Sequence, residues 1–386
     1  MYYWKRVGMQ RTGVASLPLH GGKAPRWLIV RMQQLAKEIV TIIVDEGGTN
    51  DFLKRISDPF WFQALGCVLG YDWHSSGVTT VVTGVLKQAI VPEEHGIAVC
   101  GGKGKISLQT PAEIGNACEK FGFSNSNIEA LRYASKMSAK VDNAAIQAGY
   151  QLYHHAFFIT EDEDWAVIQQ GMCPEDHTAR RYHWLSNKAL NFVVEPHNAI
   201  VSDVKREIAL DMTAKNSEGC RKTSVDVAKE PPEKIMRTLI SVRPFHQKSL
   251  QKWLPTTAGT KWREYPMEAL AMPKNINWKA LREVYEYQPR NYEELLAFRG
   301  IGPATVRGLA LIAELIYSEK ASWKDPVKYS FAYGGKDGVP FPVNRRAMDE
   351  SIQMLRQAIT EAKIGEKEKI KSLQRLRIFV PDNINH

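Results

Sequence analysis

No stretch of this 386-residue chain approaches the ~18 uninterrupted apolar residues of a membrane-spanning helix, so no membrane partner is expected. The opening residues, MYYWKRVGMQ, lack the apolar core of a signal peptide, and a cytoplasmic location is the expectation. Cysteine is scarce as well. Cys67, Cys100, Cys118, Cys173 and Cys220 are scattered with no C-x-x-C pair, which argues for free thiols and against a zinc site or a cysteine-bound cluster. There is no internal repeat and no long low-complexity tract. The loop GGKGK at 101–105 lacks the spacing and the Lys-Ser/Thr ending of a nucleotide-binding P-loop.

What the chain does have is an ordinary globular composition, 44% hydrophobic and 24% charged, with a net charge of +9. That charge is unevenly placed. Residues 1–200 hold 19 basic and 19 acidic side chains, whereas residues 201–386 hold 32 and 23. The whole excess lies in the second half, the pattern of a polyanion-binding module joined to a neutral one.

Local patterns divide the chain into three. Residues 11–204 mix helix and strand signals; residues 205–235 are polar, contain a double proline near their end, and read as a linker or exposed loop; residues 236–380 are mainly helical. The predicted class is α+β, a mixed N-terminal α/β domain followed by a helical C-terminal one. APRWLIVRMQQLAKEIVTIIVDE, SDPFWFQALGCVLG (capped by Ser57 or Asp58) and SSGVTTVVTGVLKQAI predict helices. TPAEIGNACEKFG opens with a capping box, Thr110 and Glu113. QLYHHAFFI and DWAVIQQG predict strands joined as a hairpin by TEDED, and LNFVVE predicts another strand.

The most specific stretch is NYEELLAFRGIGPATVRGLALIAELIY, 291–317. Asn291 suits a helix cap, Gly300 and Gly302 permit a tight corner, and Pro303 suits the start of a second helix. The first amides of that helix, around Ala304 and Thr305, lack intrahelical acceptors and suit a phosphate oxygen. Arg299 and Arg307 add charge, and Thr305 adds a hydroxyl. Phe298–Gly302 fits the order hydrophobic–x–Gly–hydrophobic–Gly and resembles the helix-hairpin-helix motif. The resemblance implies binding to the DNA backbone without reading sequence. The glycosylase branch of that motif would need a lysine where Ala304 stands and an aspartate where FPVNRR carries Asn344, so its chemistry does not carry over.

Four other segments suggest anion handling: LHGGKAPRW with Lys23, YDWHSSGVTT with Asp72 and His74, CGGKGKISL with Lys103 and Lys105, and ARRYHWLS with Arg181 and His183. Placed at predicted helix starts and loops, they would form a phosphate-handling pocket. His74 would act as acid or base beside Asp72, His183 would be its partner, and Arg181 would stabilise phosphate charge. His154 and His155 are neighbours in a strand, so at most one is expected to face a site. Glu161, Asp162, Glu163 and Asp164 read as a charged hairpin tip rather than metal ligands. Gln169 and Gln170 stand where a restriction-type nuclease would carry lysine. Lys140 and Asp142 suit either an acid–base pair or a salt link on a helix surface. No metal set is identified; a divalent ion such as magnesium would suit the expected chemistry.

From RTGVASLPLHGGKAPRWL onward the chain also resembles a largely archaeal family of uncharacterised proteins, on segments that include DWHSSGVTT, GGKGK, AKVD, IQQGM, ARRYHWLS, EPH and FAYGGKDGVPFPVNRR. The resemblance implies that residues 1–10 lie outside the shared body. It also implies that AYGGKDGVPFPV packs on the hairpin, with Lys336 as a further backbone contact. It brings no catalytic assignment. The expected function is a DNA-binding protein of repair or processing that cleaves phosphodiesters. The alternatives are a non-catalytic DNA-binding adaptor, or a glycosylase-like or RNA-modifying enzyme.

Overall fold

Clear end signals set the first helices. After α1 (Arg26–Ile56), the Asp58 carboxylate accepts from the N–H groups of Phe60 (2.8 Å) and Trp61 (2.9 Å), and Pro59 opens α2 (Pro59–Leu69). α3 (Gly77–Ala89) forms despite its β-branched run, with the Thr83 hydroxyl returned to the Thr79 carbonyl at 2.8 Å. This computed structural model describes residues 26–70, 77–189, 191–202, 204–241, 273–327 and 345–379.

Next come α4 (Pro92–His95), β1 (Ile97–Lys103), a 3₁₀ turn (Gly104–Gln109), α5 (Thr110–Lys120), α6 (Asn125–Lys140) and a π turn (Val141–Ala145). The strands β2 (Ile146–Gln147), β3 (Gln151–Thr160), β4 (Trp165–Cys173), β5 (Thr178–Leu185), β6 (Ala199–Ser202) and β7 (Leu210–Asp211) follow. The chain then turns helical: α7 (Glu218–Ala228), α8 (Pro232–Ser241), α9 (Trp278–Tyr287), α10 (Tyr292–Ala297), α11 (Pro303–Tyr317), α12 (Arg345–Glu361) and α13 (Glu366–Phe379). The expected α+β class is what forms.

The central sheet is antiparallel, in the order β1-β3-β4-β5-β6, and is covered on both faces. One face sets Ala156, Phe158, Ala166, Ile168 and Leu185 against α1, α2, α3, α12 and α13. The other sets Phe157, Val167, Tyr182 and Trp184 into a core shared with α6, α7, α10 and α11.

Several expectations are corrected here. Residues 205–235 are no linker or exposed loop: Cys220, Val225, Val227 and Ala228 of α7 are buried in the same core as Leu281 and Leu309. ARRYHWLS is not a helix start but β5. Both of its faces are buried, so the polar–apolar alternation that marks a half-exposed strand is missing. LNFVVE is not a strand over its described residues, because the Asn191 side chain accepts from the N–H groups of Val193 (2.7 Å) and Val194 (3.0 Å) and bends the chain. The Thr110–Glu113 box does not cap α5. Glu113 instead accepts from the Gly101 N–H and from Lys87 Nζ, each at 2.6 Å, a pair of charge-assisted bonds that ties α5 to β1 and α3.

Candidate functional site

The corner between α10 and α11 is built much as its sequence suggests. The Asn291 side chain accepts from the Glu294 N–H at 2.9 Å, and Pro303 starts α11. Gly300 has φ +87°, and a Cβ there would lie 2.7 Å from Asn277 Nδ2 and 2.9 Å from Ala280 Cβ. Backbone conformation and close packing on α9 therefore both demand glycine. Ile301 is fully buried, whereas a Cβ on Gly302 would meet nothing within 4 Å. Arg299 is exposed and Ala304 half-buried. Thr305 is buried, and the Arg307 guanidinium lies 5.2 Å from the centre of the Trp323 ring, its pKa lowered by burial. Arg299, Gly302 and Ala304 thus reach the open side of the corner, while Thr305 and Arg307 pack inward.

The corner is tied to the middle of the chain. Lys140 Nζ donates to the Phe298 carbonyl at 2.9 Å and to the Ile301 carbonyl at 2.6 Å, and Gln147 Nε2 donates to the Pro303 carbonyl at 2.9 Å. Burial lowers Lys140 to about 8, with Lys136 adding repulsion. Lys140 and Asp142 do not pair with each other. The π turn that follows α6 rotates Asp142 into the core, where its Oδ2 accepts from Gln169 Nε2 (2.6 Å) and Trp184 Nε1 (3.0 Å) and its Oδ1 pairs with His197 Nε2.

This arrangement fixes a tautomer two residues away. With its nitrogen committed to Asp142, Gln169 turns its oxygen to His155 Nδ1 at 2.9 Å. His155 Nδ1 must then carry the proton, leaving Nε2 as an acceptor 2.8 Å from Ser135 Oγ, which donates. The result is a buried chain of hydroxyl, imidazole, amide and carboxylate. Burial holds His155 down to about 4, opposed by its bond to Gln169.

The opposite face of the sheet carries a second polar layer. His154 Nε2 lies 2.9 Å from Thr83 Oγ1, its Nδ1 has no hydrogen-bond partner among the described residues, and burial lowers it to about 3. Further in, Arg181 Nε donates to His183 Nε2 at 2.9 Å and Arg181 Nη1 donates to Gln63 Oε1 at 3.1 Å, with the guanidinium 4.5 Å from the centre of the Phe62 ring. Arg181 and His183 are therefore brought together, as expected, but both are buried within the fold. Burial first, and Arg181 second, push His183 far below the ordinary histidine range, and its Nε2 lone pair is already engaged. Asp72, His74, Lys23 and Lys336 lie outside the described residues. Lys103 and Lys105 are exposed at the end of β1 and in the 3₁₀ turn. The acidic hairpin tip is structural, with Asp162 accepting from Thr49 and Asp164 from Ser186. Among the described residues no group of three or more His, Cys, Asp or Glu could hold a metal ion.

A cleft of 610 Å³ joins these parts. Gly300, Ile301 and Gly302 form one wall, Ser135, Lys136 and Lys140 of α6 another, and the 3₁₀ turn a third. His154 and His155 both border it, although they point to opposite faces. Only the His155 ring turns toward α6 and the cleft, whereas the His154 ring lies against Thr83 on the other face. Two lysines and no carboxylate stand among the described residues that line this cleft. Sequence reasoning missed Ser135 and the joint role of His155 and Gln169, because these residues come from three separate elements and share no local spacing.

Comparison with curated proteins and with solved structures yields no match. A family model described as a protein of unknown function, DUF763, matches residues 13–343. The chain, with its basic cleft walled by a glycine corner and two histidines, belongs to the DUF763 family.

Proposed function

We propose that this protein binds DNA by its backbone and cleaves phosphodiesters in DNA repair or processing. The observation that carries the reading is that the glycine corner and the Ser135–His155 pair share one cleft with lysines and no carboxylate among its described walls. The corner acts as a helix-hairpin-helix. The free amides at the start of α11 take a phosphate oxygen beside the open face of Gly302, without reading bases.

The order hydroxyl–imidazole–amide–carboxylate is that of an activated nucleophile with its base and orienting groups. Ser135 Oγ attacks phosphorus as its proton passes to His155 Nε2. The leaving oxygen then takes that proton. Water releases the phosphorylated serine by the same route in reverse. Burial weakens His155 as a base in the free protein, and the negative charge of an arriving phosphodiester strengthens it. The deep burial of Ser135 and His155 favours a second reading, a non-catalytic DNA-binding adaptor in which the network only steadies the corner.

Fluorescence anisotropy with a labelled duplex tests the binding. Affinity should fall steeply with salt and ignore sequence. Gly302→Asp, which the open space around Gly302 accommodates, should weaken binding about tenfold or more by setting a carboxylate against phosphate. Unchanged binding by Gly302→Asp would sink the DNA reading. Incubation of the same duplex with the wild type and with Ser135→Ala separates the two versions. Cleavage abolished by the alanine, with binding intact, supports the enzyme; no cleavage by the wild type leaves the adaptor.

A further inference from the structure

The 3₁₀ turn that forms the third wall of the cleft carries two large apolar side chains in open view. Leu108 is 79% exposed and Ile106 48% exposed. Exposed leucines are common singly, but here two stand on one six-residue turn, flanked by Lys103 and Lys105. The turn is held in shape. Ser107 Oγ donates to the Gly104 carbonyl at 2.6 Å, and Thr110 Oγ1 donates to the Ser107 carbonyl at 2.7 Å. Its base is anchored to β1, where a Cβ on Gly101 would meet the His155 carbonyl oxygen at 2.2 Å, so only glycine lets the two strands approach there. The turn faces the hairpin corner across the cleft, with Leu108 and Gly302 both on its walls.

We infer that this turn is a wedge: Leu108 and Ile106 enter the base stack of DNA held at the corner, and the nucleotide they displace moves into the cleft. The inference rests on the DNA reading proposed above and names the form in which that site takes its substrate. A short, basic-flanked apolar tip next to a backbone grip is what parts a base step, because the apolar side chains replace the lost stacking contact while the lysines meet the flanking phosphates. The cleft suits what is displaced. Its walls include the apolar Leu108, Pro111, Leu152 and Ile301, which can take the faces of a base.

The test uses the full chain and a duplex carrying a fluorescent adenine analogue whose emission rises when it unstacks. Saturating wild-type protein should raise that emission several-fold, more at a mismatch than in perfect duplex, because a mismatched base costs less to displace. The double variant Ile106→Ser, Leu108→Ser should bind labelled duplex within about threefold of wild type, since backbone contacts supply most affinity, yet lose the rise in emission. A wild type that binds without any rise, or a double variant that keeps the full rise, overturns the wedge while leaving the DNA reading in place. Light scattering of both proteins adds an outcome: a dimer converted to monomer by the two serines would make the tip a self-contact and overturn the wedge. Failure of the wild type to bind any duplex overturns the DNA reading itself, and the wedge with it.

Discussion

The two faces of the central sheet bury similar inventories of polar side chains and use them differently. On the face against α2 and α3, Arg181, His183, Gln63, Thr79 and His154 form a layer whose charged member stacks on Phe62 and whose histidines are neutral. On the face against α6, the Asp142 carboxylate orders the groups that lead to the cleft. Asp142 fixes Gln169, Gln169 fixes the tautomer of His155, and His155 presents a lone pair to Ser135 at the cleft. A buried cation satisfied by neutral acceptors can lock packing. A buried carboxylate that collects donors can orient a chain of groups, each of which has only one arrangement left.

Removing the ordering group should give the largest effect. Asp142→Ala leaves the donors of Gln169, Trp184 and His197 unmet, and urea denaturation should show a loss of about 3–5 kcal/mol, with Asp142→Asn losing less. An alanine variant of wild-type stability would mean that the chain of bonds is not what holds this face. Gly300→Ala comes next. It combines a left-handed backbone with contacts under 3 Å to Asn277 and Ala280, and should cost about 2–3 kcal/mol while also weakening duplex binding.

Arg181→Met sharpens the contrast between faces. Methionine keeps much of the volume over Phe62 but leaves His183 Nε2 and Gln63 Oε1 short of a donor, a cost of about 1–2 kcal/mol. Duplex binding measured by anisotropy should not change. If binding collapses at unchanged stability, the functional face has been assigned to the wrong side.

Acid should act on both faces at once. His154 and His155 are lowered to about 3 and about 4, so between pH 6.5 and 4 the unfolded chain binds protons that the folded chain does not. Stability contributed by these neutral histidines is therefore present above pH 6.5 and lost as pH falls toward 4. Thermal melts at pH 7 and pH 5 should show the drop, and His154→Gln or His155→Gln should each flatten it; a profile that neither variant alters would count against both pKa assignments. The smallest effect is expected of Glu113→Gln. It weakens a half-exposed link to Lys87 and the Gly101 N–H, and should cost about 0.5–1 kcal/mol in the same urea titration.

How much of this was legible depended on the range of the interactions involved. The Asp58 cap, the hairpin through residues 160–164 and the Asn291–Pro303 corner were readable because their partners lie within a few residues. Glu113 looked like a capping-box residue and is not one, because Lys87 and Gly101, distant in sequence, offer it better partners. β5 shows no legible strand signal because an arginine and a histidine on its buried positions hide the alternation, and Gln63, Thr79 and Phe62 arrive from α2 and α3 to accommodate them.

By itself the sequence determined the backbone of the corner. Glycine at 300 permits the positive φ of the corner and proline at 303 fixes φ at the start of the second helix, whatever surrounds them. Only the tertiary structure decided what the corner faces. Lys140 bonds two of its carbonyls, β3 turns the His155 ring toward Ser135 beside it, and Asp142 turns inward at a π turn. These are contacts between residues more than a hundred positions apart, or choices of side-chain direction set by burial, and neither leaves a periodic mark in the chain.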